Sequence, residues 1–455
     1  MLNKSRIIYI SLFILSSFGS CKDDMQKNLD KYISQNSNST KIKLRWLAHW
    51  HGEGKKETLL REIAREFSLL HQDIEVELVF PHEMAKIKPG NNSASKVKLI
   101  DTLANMVSTN NWPFDIMLCD AYVYPDVSAR LNNPNWGKEF LVDFKDQAWY
   151  IAAHKNNFFD TKKYTDNYGG IAPGAYIEGV WNLLYLSSEV EKRLGIKVKT
   201  YDMNVSDFTS YAQAVFEYNK SHSDRITFLS FPNGSMMNIF NQMVMSALGK
   251  QFADNREEAI AALKITYQAI VKLAPYNPLE QNVSYESFET LHHNKVLFTY
   301  HQSWVNMLWQ KTNPIGEKVM RPCELPSIDG KKAVLYTGVY SSIFVVPKNA
   351  KNRKAAELLM QFISSQETAE KWTKYSKCPT GLKNQISYSD FGTDEYSKFS
   401  AHISGKYQDR LDEVNLESVL FNSNKNIDFQ EAKVMNGEIS ADAALQSVLL
   451  QIGTK

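Results

Sequence analysis

An alternation of strand-like and helix-like segments is the feature of this chain that most restricts its fold. Strand patterns cover Lys41–Trp50, Asp73–Phe80 and Phe114–Leu118, and helical spacing of apolar residues covers Lys56–Leu70 and Lys96–Val107. Strands that alternate with helices at this spacing form βαβ units, in which the strands lie parallel in one sheet. The segment therefore predicts an α/β fold built on a parallel sheet.

The later part of the chain continues this alternation. Strands are predicted at Val180–Leu186, Val296–Tyr300 and Val339–Val346, helices at Ser188–Leu194, Asp207–Tyr218, Arg256–Leu273 and Arg353–Ile363, and a helical C-terminal region at residues 405–455. A chain of 455 residues is long for a single core, so we expect two domains. The turn-rich residues 160–175 mark a crossover between them.

Composition narrows the class of protein. Apolar residues make up 43% and charged residues 22% of the chain, which is typical of a folded globular protein. The formal net charge of +2 does not favour a nucleic-acid partner, which needs a concentrated basic surface. The 9 Trp and 22 Tyr residues fit either an aromatic core or a binding surface of flat rings with polar tips.

The N-terminus has the pattern of an export signal. Lys4 and Arg6 precede an apolar run that is too short to span a membrane and that ends at Phe18-Gly19-Ser20-Cys21. Small residues before a Cys resemble a bacterial lipobox, although Phe18 replaces the usual Leu; a plain signal peptide is the alternative. On the lipobox interpretation, residues 1–20 are a signal peptide, Cys21 carries a lipid and residues 21–40 form a flexible tether. The protein would then be anchored in the cell envelope, either in the periplasm or at the cell surface.

Three further cysteines, Cys119, Cys323 and Cys378, lie in the predicted domains. An exported chain meets oxidising conditions, so one pair could be bridged, while the odd number leaves at least one free thiol. Their spacing does not match a zinc site.

The stretch HWHGEGK after the first strand raises the question of a metal or phosphate site. His49 and His51 share the spacing of a metal pair, but only Glu53 stands nearby as a third ligand. A phosphate loop requires a Gly where His49 stands and a Ser or Thr where Lys56 stands. We therefore expect no metal and no cofactor. Metalloprotease and serine-hydrolase motifs are also missing, which leaves an exported carbohydrate-active enzyme only as an alternative.

Aromatic residues, in one place together with an Asp, recur where predicted strands end. Trp50 follows the first strand, Asp120 and Tyr122 follow the third, Trp304 follows VLFTY, and Tyr340 lies beside Gly338. In open parallel sheets, ligands bind outside the carboxyl ends of the strands. A sugar has apolar C–H faces and polar hydroxyl edges, which suit aromatic rings combined with neutral or acidic polar groups. The pattern favours a carbohydrate ligand.

The order of motifs resembles the extracellular solute-binding proteins of ABC importers, the sugar-binding group (family 1) in particular. The resemblance is carried by KLRWLAHWHGEGKKETLLREIAREFSLLHQDIEVELV, FDIMLCDAYVYPDVSARL, FLVDFKD, TLHHNKVLFTYHQSWVNML, TGVYSSIFVVPKNAKNRKAAELLMQFISSQETAEKW and CPTGLK. It runs from Lys41 to Lys383. It departs from the family pattern at Asn294, where Gly is usual, and at Leu186, where Asn is usual.

The resemblance implies an α/β periplasmic-binding-protein-like fold with two lobes, a hinge and an interlobe ligand cleft. Lobe 1 would comprise residues 41–155 and 340–380, and lobe 2 residues 156–339 and 381–455. The implied ligand-binding residues are Trp50, His51, Glu53, Asp120 and Tyr122 from one lobe, Trp304 from the other, Tyr340 near the hinge, and Tyr176, Glu178 and Trp181 in GGIAPGAYIEGVWNLLYLSSEV.

The resemblance further implies a monomeric binding protein without catalytic residues that delivers its sugar to an ABC permease. A family member reused as a surface sensor or adhesin is the other alternative.

Overall fold

A computed structural model of the chain describes residues 41–51, 55–81, 92–120, 123–155, 165, 168–174, 176–230, 256–276, 294–305, 320–327, 337–378, 393–406 and 428–452. The strands are β1 (Ile42–Leu47), β2 (Ile74–Val79), β3 (Ile116–Leu118), β4 (Tyr176–Ser187), β5 (Thr227–Ser230), β6 (Val296–Gln302), β7 (Met320–Cys323) and β8 (Thr337–Val345). The helices are α1 (Lys55–Leu70), α2 (Asn92–Thr109), α3 (Val123–Leu131), α4 (Trp136–Phe140), α5 (Ala148–Lys155), α6 (Ser188–Leu194), α7 (Val205–Ser221), α8 (Arg256–Leu273), α9 (Arg353–Ile363), α10 (Gln366–Ser376), α11 (Glu395–Lys406), α12 (Glu431–Met435) and α13 (Ala441–Ile452).

Helix α1 shows how the apolar spacing determines these elements. Leu59 and Leu60 precede Ile63 by four and three residues, and Phe67 follows Ile63 by four; each side chain is at most 3% exposed. Residues at this spacing lie on one helical face, so α1 buries a continuous stripe against the sheet. Helix α1 is confirmed to within one residue of its predicted start.

The first part of the sheet is parallel, as predicted. Strand β1 pairs in parallel with β2 over its whole length and with β3 at Trp46 and Leu47. Strand β8 then joins the other edge of β3 in antiparallel orientation. The prediction that β1 continues to Trp50 is wrong, because Trp50 has a φ of 67°, and a left-handed residue ends an extended strand.

The second part of the sheet is mixed. Strand β6 lies between β4, to which it is antiparallel, and β5, to which it is parallel, while β7 pairs with β4. The strand patterns did not reveal β5 or β7, which have four residues each. Pro322 in β7 lacks a backbone N–H, which an edge strand tolerates, and among the described residues β7 pairs with β4 alone.

The two parts of the sheet have separate cores. The first core contains residues between Leu44 and Ala172 and between Ile343 and Trp372. The second contains residues between Leu184 and Leu325 and between Phe429 and Val448. The molecule is therefore an α/β protein of two lobes, which confirms the predicted fold class; the lobe boundaries stay a prediction.

Strands β4 and β8 connect the two lobes. The first half of β4 pairs with β8, from Tyr176 opposite Ile343 to Trp181 opposite Thr337. The second half of β4 pairs with β6 and β7. The register between β4 and β8 shifts between Glu178 and Val180. Within the described ranges, no helix combines the length and the apolar character needed to cross a membrane.

Candidate functional site

Strand directions bring the carboxyl ends of the parallel strands of both lobes toward one region. Strand β3 is antiparallel to β8, so its carboxyl end is directed along β8 toward Thr337. Thr337 pairs with Trp181 of β4, and the next β4 residue, Asn182, pairs with Gln302 at the carboxyl end of β6. We call this place, where β4 and β8 pass between the lobes, the interlobe region. The predicted site residues follow the strands that end here.

Trp50 is buried in this structure. Its side chain is 2% exposed, and its ring centroid lies 4.5 Å from that of Trp372 and 4.9 Å from that of His49. Trp50 therefore has almost no ring surface for a ligand here and supports the loop that follows β1.

His51 follows the end of β1 by four residues and Asp120 follows the end of β3 by two, and both side chains are partly exposed. The Nδ1 atom of His51 lies 3.3 Å from a carboxylate oxygen of Glu57 in the first turn of α1. The Oδ1 atom of Asp120 accepts a hydrogen bond of 2.8 Å from the backbone N–H of Val123, the first residue of α3. Both side chains are thus oriented by a helix N-terminus, with part of their surface accessible.

Glu178 forms a buried ion pair that the sequence analysis missed. Its Oε1 lies 2.7 Å from Nζ of Lys56, and the two side chains are 2% and 1% exposed. Its Oε2 accepts a hydrogen bond of 3.0 Å from Nε1–H of Trp372 in α10. Glu178 therefore anchors β4 to two helices of the first lobe and presents almost no surface to a ligand.

A signal for the burial of Lys56 was present in the sequence. Lys56 precedes Leu59, Leu60 and Ile63 by three, four and seven residues, which places it on the buried stripe of α1. A lysine on such a stripe needs a buried partner, because an unpaired charge in a core is costly.

Trp304 follows β6 at the edge of the second lobe and is partly exposed. Its Nε1–H donates a hydrogen bond of 3.0 Å to Oε1 of Gln302. The ring of His301 lies edge-on to the indole, with centroids 4.9 Å apart and an interplanar angle of 74°. Burial lowers the pKa of His301 to about 4, so the imidazole is neutral at physiological pH. Trp304 therefore presents an aromatic surface beside a neutral imidazole.

The three cysteines of the lobes are buried free thiols. Cys119 belongs to the first core and Cys323 to the second, so the sequence-allowed disulfide between these two is not formed. Cys378 lies near the interlobe region, where its sulfur accepts a hydrogen bond of 3.8 Å from the Ser303 hydroxyl. Burial raises the pKa of Cys378 to about 12, which keeps it a thiol.

Several predicted site residues lie outside the described part of the structure. These are Glu53, Tyr122 and Cys21, together with the side chains of Tyr176, Trp181 and Tyr340, whose backbones belong to β4 and β8. Among the described residues, no three His, Cys, Asp or Glu side chains form a group that could hold a metal ion.

Comparison with known proteins gives similarity in structure but not in sequence. No protein-family model matches the chain, and no curated protein matches it. The GacH receptor of Streptomyces glaucescens, crystallised unliganded and with acarbose, is 13% identical with a TM-score of 0.59, over 90% of this chain and 97% of that one. The cyclic alpha-maltosyl-1,6-maltose binding protein of Arthrobacter globiformis is 12% identical with a TM-score of 0.61, over 91% and 98%.

A third solved structure agrees with these two. RafE of Streptococcus pneumoniae is 14% identical with a TM-score of 0.57, over 91% of this chain and 97% of that one. These similarities extend over nearly the whole length of each protein. The chain therefore has the two-lobe fold of these sugar-binding proteins.

Proposed function

We propose that the chain is an extracytoplasmic solute-binding protein that captures a carbohydrate between its lobes and delivers it to the permease of an ABC importer. The observation that carries this proposal is the convergence of strand ends from both lobes on the interlobe region, with the partly exposed Trp304 on one side. The fold supports it, since proteins of this fold include an acarbose-bound receptor and RafE in complex with raffinose.

The charges described in the interlobe region do not favour an anionic ligand. The ammonium of Lys56 is neutralised by Glu178, and His301 is neutral. A sugar would stack an apolar C–H face on Trp304 and direct hydroxyls toward His51 and Asp120. Further proposed contacts are Glu53, Tyr122, Tyr176, Trp181 and Tyr340. Trp50 and Glu178 would support the site from the protein interior without contacting the ligand.

Capture would require the two lobes to move toward each other. Contacts from both lobes to one ligand form only when the lobes close, which is how two-lobe binding proteins hold their solutes. The register shift between Glu178 and Val180 interrupts the regular pairing of β4 with β8, and Gly179 lies at this interruption. We place the bending point there. Binding and closure need no catalytic group, so we propose a non-enzymatic protein, and we also propose that it acts as a monomer.

The proposal includes an anchor in the cell envelope. Cys21 would carry a lipid after removal of residues 1–20, and residues 21–40 would tether the lobes to a membrane, in the periplasm or at the cell surface. Metabolic labelling with a radioactive fatty acid should mark the protein, and Cys21→Ser should abolish the label.

A thermal-shift screen tests the binding function. The panel is acarbose, maltose, raffinose and xylo-oligosaccharides, with glucose 6-phosphate as an anionic control. A ligand present at about 100 times its Kd stabilises the folded state by about 2.7 kcal/mol, which gives a clear increase in Tm. We expect at least one neutral sugar to raise Tm and the phosphorylated sugar to have no effect.

Two variants locate the site. Trp304→Ala should abolish the shift, whereas Trp149→Ala, at another partly exposed Trp in α5, should keep it. A shift unchanged by Trp304→Ala would remove that residue from the site. Release of new reducing ends from a panel sugar would contradict the binding function in favour of an enzyme.

A further inference from the structure

We propose that Gln302 is a positioning residue that fixes the orientation of the Trp304 ring, so that Trp304 binds its ligand through a ring face and not through its N–H. The part of this inference that concerns sugar contact by Trp304 rests on the proposed function. The orientation of the ring itself can be tested without any sugar.

The hydrogen bond between the two side chains uses the polar group of the indole. Nε1–H is the one donor of a Trp side chain, and it lies 3.0 Å from Oε1 of Gln302. The exposed part of Trp304 can therefore offer a ligand only π-faces and C–H edges. Such a surface recognises the apolar C–H face of a pyranose ring. It offers no hydrogen-bond donor to a carboxylate or phosphate group of a ligand.

The acceptor is held by rigid structure. Gln302 is the last residue of β6, and its backbone pairs with Asn182 of β4. Its backbone N–H also donates a hydrogen bond of 2.8 Å to Nδ1 of His301. His301 is 1% exposed and meets the Trp304 ring edge-on, so the indole is bounded by a buried ring on one side and an amide on another. A binding group supported from a strand keeps its geometry better than one supported by a loop.

The orientation is tested by the indole ¹H–¹⁵N resonances of the sugar-free protein, with Trp304→Phe used to assign the signal. Gln302→Met replaces the amide by a side chain of similar length without the oxygen acceptor. We expect the Trp304 indole proton to move upfield and to exchange faster with water. Gln302→Glu keeps an oxygen acceptor at the same position and should restore both properties.

Sugar binding provides a second readout. Loss of one net hydrogen bond corresponds to a change of about fivefold, so we expect the panel sugar that stabilises the wild type to bind Gln302→Met about fivefold more weakly. Gln302→Glu should bind it within about twofold of the wild type. Gln366→Met is the matched control, because Gln366 bonds to Glu370 on the exposed surface of α10 and should change neither the resonance nor the affinity.

The possible outcomes separate the orientation from the binding function. An indole resonance unchanged in Gln302→Met overturns the proposal, and so does a shift that Gln302→Glu fails to restore. If Gln302→Met does not fold, the wild type provides the test. A Trp304 indole proton that exchanges as fast as that of free tryptophan would overturn the hydrogen bond to Gln302. A wild type that binds no panel sugar contradicts the proposed function, while the spectra still report on Gln302.

Discussion

Replacing Lys56 by Met should destabilise the protein severely, although Met fills nearly the same volume. The change leaves the carboxylate of Glu178 buried, with its ammonium partner at 2.7 Å removed. Breaking a buried ion pair on one side costs about 3–5 kcal/mol. The N–H of Trp372 still bonds the other carboxylate oxygen at 3.0 Å, so we expect the lower end, about 3 kcal/mol.

A double variant identifies the source of this loss. In Lys56→Met combined with Glu178→Gln, neither member of the pair is charged, and the amide oxygen still accepts from Trp372. We expect its stability to lie within about 1–2 kcal/mol of the wild type, because a buried pair replaced as a whole is close to neutral. The two substitutions should therefore show a strong coupling energy in a double-mutant cycle.

Urea unfolding followed by circular dichroism measures these differences. Lys220→Met is the matched control, because Lys220 pairs with Glu217 at the surface, where both side chains are 55% exposed and such pairs contribute little. A loss of less than about 1 kcal/mol in Lys56→Met would refute the view that the pair anchors β4 to the first lobe.

Three further predictions follow from buried groups. His301 has a pKa of about 4 in the folded chain and near 6.5 when unfolded, so the unfolded chain gains its proton first on acidification. Stability should fall by about 3 kcal/mol between pH 6.5 and pH 4, and His301→Asn should flatten that slope in urea titrations; an unchanged slope would contradict the assignment. Cys119, Cys323 and Cys378 should resist iodoacetamide in the native state and react in urea, as read by peptide mass spectrometry, and native labelling would show them accessible. Phe67→Ala, at a fully buried ring of α1, should cost about 3–5 kcal/mol, whereas Leu70→Ala, 69% exposed, should cost far less in the same assay.

The sequence predicted the parts of the fold that local patterns determine. The apolar stripe of α1 and the alternating pattern of β2 can both be recognised within a short segment of sequence. Both elements are found where the sequence predicted them. Short β5 and β7 were missed because four residues carry too little periodicity, and Pro322 argues against a strand.

The site was predicted less completely, since its contacts join residues far apart in the chain. Glu178 bonds to Lys56 across 122 residues and to Trp372 across 194 residues, so no local pattern shows that its carboxylate is already occupied. Trp50 is buried by Trp372 in the same way. Gln302 and Trp304, by contrast, are two residues apart, and a Gln so close to a predicted ligand-binding Trp could have been read as its partner.

Small-angle X-ray scattering with and without a bound panel sugar tests most directly the claim that a carbohydrate is captured between the lobes. Closure around a ligand makes a two-lobe protein more compact. We expect the radius of gyration to decrease when the stabilising sugar saturates the protein and to stay unchanged with glucose 6-phosphate. A sugar that raises Tm without changing the radius of gyration would place the binding site on a single lobe and contradict capture between the two.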